Sequence, residues 1–175
     1  MKKPTQKIMP CIWYRGNAEA AAKFYVSLLP NSRINEVFRS PADTPSGKAG
    51  TVLTVEFTLA GSRYLGLNGG AGPQFKLNEG VSFQVFCQNQ AEVDRLWNAL
   101  KKGGGRVLGC GWLKDRWGLT WQIVPTRLKE LLADKDRAKA KRVMEAMMEM
   151  DKLNIAALER AAAPARGNRQ ARLQK

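Results

Sequence analysis

The sequence predicts an α+β protein made of two copies of one strand, helix, strands unit, followed by a run of helices. Three observations carry this. Apolar spacing switches between the two-residue period of strands and the i, i+3, i+4 spacing of helices. An offset of 73 residues carries Ile8 onto Val81, Ile12 onto Val85, Ala18-Glu19 onto Ala91-Glu92 and Phe24 onto Trp97, which reads as an internal repeat. Beyond Pro125 the composition changes to helix formers.

In the first half, Met9 to Tyr14 is expected to be a strand, after which Asn17 caps a helix with Glu19 near its positive end. Ala18, Ala21, Ala22, Tyr25, Leu28 and Leu29 share one helix face, and Pro30 ends it. Ile34 to Arg39 reads as a second strand. Pro41, Pro45, Gly47 and Gly50 mark a loop, Thr51 to Leu59 alternates as a third strand, and Ala60-Gly61-Ser62 turns into a fourth, Arg63 to Asn68. Gly69, Gly70, Gly72 and Pro73 close the half.

The second half repeats the order. Val81 to Cys87 is a strand; Asn89 with Glu92 three residues on is close to a capping box for a helix whose apolar face is Val93, Leu96, Trp97 and Leu100. After Gly103-Gly104-Gly105, two apolar runs, Val107 to Leu113 and Leu119 to Val124, flank Lys114-Asp115-Arg116-Trp117-Gly118 as a hairpin, with Asp115 opening the turn and Gly118 closing it. Helices are expected over Leu128 to Leu132, over Arg137 to Met150 with a core stripe of Ala140, Val143, Met144 and Met147, and from a cap at Asn154 through Leu158, together forming a cover on the sheet.

Composition narrows function by exclusion. No apolar run approaches the roughly 20 residues of a membrane span, and the N-terminus lacks a signal-type apolar stretch, so a soluble cytoplasmic protein is expected. With three cysteines, Cys11, Cys87 and Cys110, and no histidine, neither a disulfide framework nor a common zinc site is suggested. The formal charge of +14 raises the question of acidic partners. Much of it is expected to be solvated, with Arg166, Arg169, Arg172 and Lys175 in a basic tail, residues 164–175, expected to be disordered, and no aromatic-interleaved basic stretch or nucleic-acid motif accompanies it, so nucleic acid is not an expected partner.

Four segments in order, PCIWYRGNAEAAAKFYVSLLPNS, LNGG at 67–70, CGWLKDRWGLTWQIVP and RVMEAMMEMDKLNIAALERA, together resemble the PhnB-like proteins. These are also labelled 3-demethylubiquinone-9 3-methyltransferase-like, and belong to the glyoxalase/bleomycin-resistance (vicinal-oxygen-chelate) superfamily. The resemblance spans roughly residues 6 to 162. It implies two βαβββ modules whose curved sheets enclose a cavity, usually in a homodimer. The organisation it implies is a domain over 1–125, with modules of about 6–70 and 79–125, a helical extension over 126–163, and the basic tail. The superfamily's usual site is a metal held by His, Gln or Glu from the first and last strands of each module. Its frequent Asp-x-x-Gly with a carboxylate or amide four residues on matches Asp115, Gly118 and Gln122 here.

Strand alternation then selects the inward side chains. Val81, Phe83 and Val85 are expected to pack under the helices, leaving Ser82, Gln84 and Phe86 facing the cavity; the offset carries these to Met9, Cys11 and Trp13, and Asn68 and Gln122 complete the set. The expected ligand-binding residues are Cys11, Trp13, Asn68, Ser82, Gln84, Trp121 and Gln122. Amide and hydroxyl oxygens are weak donors for zinc or iron, so no tightly bound divalent metal and no cofactor are expected. Gln74 stands where relatives often carry a histidine, which removes an obvious general base. No strand opening into a Gly-rich nucleotide loop supports a methyltransferase.

The first reading is therefore a protein that binds a small molecule in the barrel cavity. The alternative is a superfamily enzyme: a lyase, isomerase or dioxygenase, or the methyltransferase of the family label. For it the residues offer Glu56, a solvent-exposed Lys114 or the turn residue Asp115 as acid–base groups, and no catalytic residue is assigned.

Overall fold

A computed structural model describes residues 6–70 and 76–164. Gln74 and residues 165–175 of the basic tail therefore lie outside the described residues. The chain falls into two compact units divided between Asn78 and Glu79. Each contains a four-stranded mixed sheet with one helix on it, and the second also carries three C-terminal helices.

In the first unit the elements are β1 (Cys11–Tyr14), α1 (Ala18–Leu28), β2 (Arg33–Arg39), β3 (Val52–Leu59) and β4 (Ser62–Asn68), and the sheet order is β1-β4-β3-β2. Only β1 and β4 run parallel. α1 packs on β3 and β4 through the face expected from its spacing: Ala18, Ala21, Ala22, Tyr25 and Leu28 are buried. Ile12, Tyr14, Val55 and Phe57 are buried with them. A Cβ at Gly66 would meet the Ala18 Cβ at 3.2 Å, so the missing side chain is what brings helix and sheet together.

One local expectation is corrected here. Asn17 makes no side-chain cap to α1; instead the Asn68 Oδ1 on β4 accepts from the Ala18 N–H at 3.0 Å. With φ −119° and ψ 20°, Asn17 lacks the extended conformation of a capping residue, and a side chain distant in sequence satisfies the helix end.

The second unit repeats the topology: β5 (Ser82–Cys87), α2 (Gln90–Lys102), β6 (Arg106–Gly109), β7 (Trp112–Lys114) and β8 (Thr120–Pro125), in order β5-β8-β7-β6, with only β5 and β8 parallel. Asn89 caps α2 by accepting from Glu92 N at 2.9 Å, and the Glu92 carboxylate returns to Gln88 N at 2.8 Å, one residue earlier than in the standard capping box. The run read as one strand, Val107 to Leu113, is two strands. Gly109, Cys110 and Gly111 all have positive φ (93°, 50° and 80°), and the chain reverses there. Val81 is 70% exposed rather than packed under a helix, because β5 and its pairing begin only at Ser82.

α3 (Thr126–Leu132), α4 (Arg137–Met148) and α5 (Ile155–Ala162) build a small core of their own from Leu128, Leu131, Val143, Leu153, Leu158 and Ala162, against which Val124 of β8 packs. Asn154 caps α5 as expected, accepting from Ala157 N at 2.8 Å. Of the expected stripe on α4, Ala140 and Val143 are buried and Met147 packs on the cluster, but Met144 is 40% exposed, since α5 and α3 cover only one side of the helix. The turn at Cys110 is tied to this extension: Cys110 N donates to Met150 O at 2.6 Å and Gly111 N to Asp151 O at 2.8 Å.

Candidate functional site

The register of the second sheet decides which side chains share a face. Ser82 pairs with Thr120, Gln84 with Gln122 and Phe86 with Val124, and across β8 Thr120 pairs with Lys114 and Gln122 with Trp112. These alternate with Phe83, Trp121 and Ile123, which lie on the side that α2 covers. On the open side Gln84 and Phe86 are exposed, while Ser82, Gln122 and Trp112 are half-buried. A hydrogen-bond chain runs across it: Gln84 Nε2 donates to Gln122 Oε1 at 2.9 Å, and Gln122 Nε2 donates to Ser82 Oγ at 2.7 Å. Ser82 and Gln84, expected on this face from strand alternation, and Gln122, marked by the family resemblance, are thus brought together. In the same row Thr120 is wholly buried with its hydroxyl unpartnered.

Trp121 is separated from this group. As the residue next to Gln122 it points to the opposite face, where it is buried, meets Phe83 edge-on with ring centroids 5.3 Å apart, and donates its indole N–H to Asp115 Oδ2 at 3.0 Å. Asp115 is itself buried, and its Oδ1 accepts from Trp117 N at 2.9 Å and Leu119 N at 3.0 Å. These bonds make it the organiser of the β7–β8 turn, with Gly118 at φ 96° closing it. Lys114, expected in solvent, is only 19% exposed and is ion-paired with Glu79, whose carboxyl the Lys114 hydrogen bond holds below its usual range.

In the first unit Cys11 and Trp13 share the face away from α1, Cys11 exposed and Trp13 half-buried. Trp13 lies so close to Gly69 that a Cβ there would fall 2.0 Å from the indole, and its Nε1 donates to Gly70 O at 3.3 Å. Asn68 does not join them. It registers with Tyr14 on the α1 side and is buried, and its amide is spent on Ala18 N and, as donor, on Val52 O at 2.9 Å. Glu56, offered as a base, instead accepts from Arg63 Nε at 2.9 Å and Asn35 Nδ2 at 3.2 Å, a network that sequence reasoning missed because its members lie on three strands.

Metal and thiol chemistry find little purchase. Among the described residues no group of three or more His, Cys, Asp or Glu side chains comes together. Gln122 on β8, where the resemblance implies a metal ligand, is already hydrogen-bonded to two neighbours through neutral groups, a donor set that does not fit zinc or iron. Burial pushes the Cys87 thiol up to about 12, with the Glu92 charge adding to it against Arg95, and desolvation also raises that of Cys11, so both stay protonated near neutral pH.

Comparison with known proteins agrees with this architecture. A family model described as 3-demethylubiquinone-9 3-methyltransferase matches residues 6–124. A Bacillus cereus structure described as a putative 3-demethylubiquinone-9 3-methyltransferase, PhnB protein, is 31% identical with a TM-score of 0.62, over 69% of this chain and 100% of that one. A Pseudomonas aeruginosa protein structure is 20% identical with a TM-score of 0.56, over 69% of this chain and 98% of that one. A glyoxalase/bleomycin resistance protein/dioxygenase from Alicyclobacillus acidocaldarius aligns over 69% of this chain and 91% of its own at 14% identity and a TM-score of 0.40. No curated protein matches the chain. The chain belongs to the 3-demethylubiquinone-9 3-methyltransferase family, the PhnB-like group.

Proposed function

We propose that this protein binds a small molecule on the open face of its second sheet and does so without a tightly held divalent metal. The observation that carries the reading is the Gln84–Gln122–Ser82 chain. It presents neutral donors and acceptors beside the apolar surfaces of Phe86 and Trp112, the mixture that orients a ligand while excluding water around it. The outward edge of Gln84 supplies both an amide N–H and a carbonyl oxygen, so the group recognised is polar and uncharged, such as a carbonyl, amide or hydroxyl.

A metabolite screen by thermal shift tests it. At least one compound is expected to raise the melting temperature of the wild type and to lose that effect in Gln122→Leu; a broad screen without a single stabilising compound would count against the reading. Elemental analysis of protein purified without added metal is expected to find less than stoichiometric zinc, iron, manganese or nickel. The setting we propose is a homodimer in the cytoplasm, as the family resemblance implies, and native mass spectrometry tests the dimer. The described residues include no helix long and apolar enough to cross a membrane.

A further inference from the structure

α3 begins after residue 124, beyond the stretch that the family model matches, and it places a charge at the end of the amide row. Lys129 Nζ sits 6.0 Å from the centroid of the Phe86 ring. Phe86 is 47% exposed, and it follows Gln84 by two residues on the same face of β5. Two residues of strand span about 7 Å. The open face therefore runs from uncharged hydrogen-bonding groups at Gln84, across an exposed aromatic ring, to an ammonium.

That ammonium is available. Among the described residues no carboxylate pairs with Lys129, whereas Arg127, two residues earlier on the same helix, is held by both Glu130 and Glu159. A cation over an exposed ring is weakly held, so a carboxylate can replace the ring as its partner at little cost. The fold supports the placement: Leu128 and Leu131 anchor α3 in the C-terminal core, and Val124, the register partner of Phe86, packs against that core.

We infer that the C-terminal extension gives this site a specificity for aromatic carboxylates that carry a hydroxyl or carbonyl at the far end, with the carboxylate on Lys129, the ring along Phe86 and the polar end at Gln84 and Gln122. The inference rests on the amide-face reading above and names its ligand class. The planar ring is preferred over an alkyl chain because Phe86 and, across the sheet, Trp112 offer aromatic surface.

Two probes of one shape separate the claims: 4-hydroxyphenylacetate and its uncharged analogue 4-hydroxyphenylacetamide, titrated by NMR or calorimetry. The acid is expected to bind the wild type at least tenfold more tightly than the amide, with the difference shrinking as salt is added. Lys129→Met, at an exposed position, is expected to abolish that difference by weakening the acid at least tenfold more than the amide, and Gln84→Leu to weaken both. Retention of the preference in Lys129→Met, with both probes still lost in Gln84→Leu, would overturn the role of α3 and leave the amide-face reading standing. Failure of both probes to bind the wild type at millimolar concentration overturns the ligand class, and the wider metabolite screen then decides the amide face by itself.

Discussion

The two units share strand order, pairing sense and the position of their helix, yet spend their amide side chains in opposite ways. In the first, Asn68 at the end of β4 turns to the helix side and is consumed by Ala18 N and Val52 O. In the second, Gln84 and Gln122 stay on the open face and bond to each other and to Ser82. The first module has converted its polar strand residues into structure; the second has kept them at a surface. Duplicated topology therefore does not imply duplicated use, and parity within a strand decides which use is open to a residue.

The largest expected effect concerns the turns. The second module hangs its closing hairpin on one buried carboxylate that accepts from Trp117 N, Leu119 N and Trp121 Nε1. Asp115→Ala leaves those donors unpaired and is expected to cost on the order of 3 kcal/mol, a fall in melting temperature of roughly 6–12 °C for a chain of this size, read by calorimetry. An unchanged melting temperature would mean that the turn is held by its backbone alone.

Next comes the amide comparison itself. Asn68→Ala removes a helix cap and a bond to Val52 O, and is expected to destabilise by about 1–2 kcal/mol in urea unfolding. Gln84→Leu is expected to change stability by less than about 0.5 kcal/mol, since Gln84 is exposed. Equal costs for the two would erase the contrast between a structural and a surface amide.

The smallest effect is electrostatic. Glu79, Asp94 and Asp134 are each held below their usual range, first of all by the hydrogen bond from Lys114, Lys152 and Lys139 respectively. A depressed carboxylate contributes stability that is complete above its unfolded pKa, roughly 4, and is lost as pH falls through the lower folded value. Lys114→Met is expected to leave stability near pH 2 unchanged and to lower it slightly at pH 7, narrowing the difference between the two in paired urea titrations. The change is small because Glu79 is exposed and solvent screens the pair.

Much of this was legible from residues alone, and the exceptions have physical causes. The repeat and the β1 and β5 alternation were readable because strands advance by twos. The same offset of 73 fails for the helices: the buried Ala18, Ala21, Ala22 and Tyr25 of α1 match Val93, Leu96, Trp97 and Leu100 of α2 at an offset of 75. A slip of two leaves a strand's faces unchanged but turns a helix by about 200°. That Trp121 and Gln122 face apart followed from adjacency, and the strand period should have excluded grouping them. The side taken by Asn68 depended on its register with Tyr14, 54 positions away, and Lys129 meets Phe86 across another long separation; such pairings leave no local trace. The Gly109–Gly111 reversal had a signal, two glycines around a small residue, hidden by the apolar run on either side.

The hydrogen bonds from Cys110 and Gly111 to Met150 and Asp151 have a consequence for synthesis. Chains emerge from the ribosome N-terminus first, so the β6–β7 turn exists about 40 residues before its acceptors do. Until Leu153 arrives to sit against Gly111, the second module has its strands but not the anchor of its reversal, whereas the hydrogen bonds given above for the first module all join residues between Trp13 and Gly70. Vectorial folding should then run in two beats, with the second module closing only after residue 153 has been made. A stop codon just after residue 125 would preserve every strand of the sheet and still strand the turn in an unfinished state.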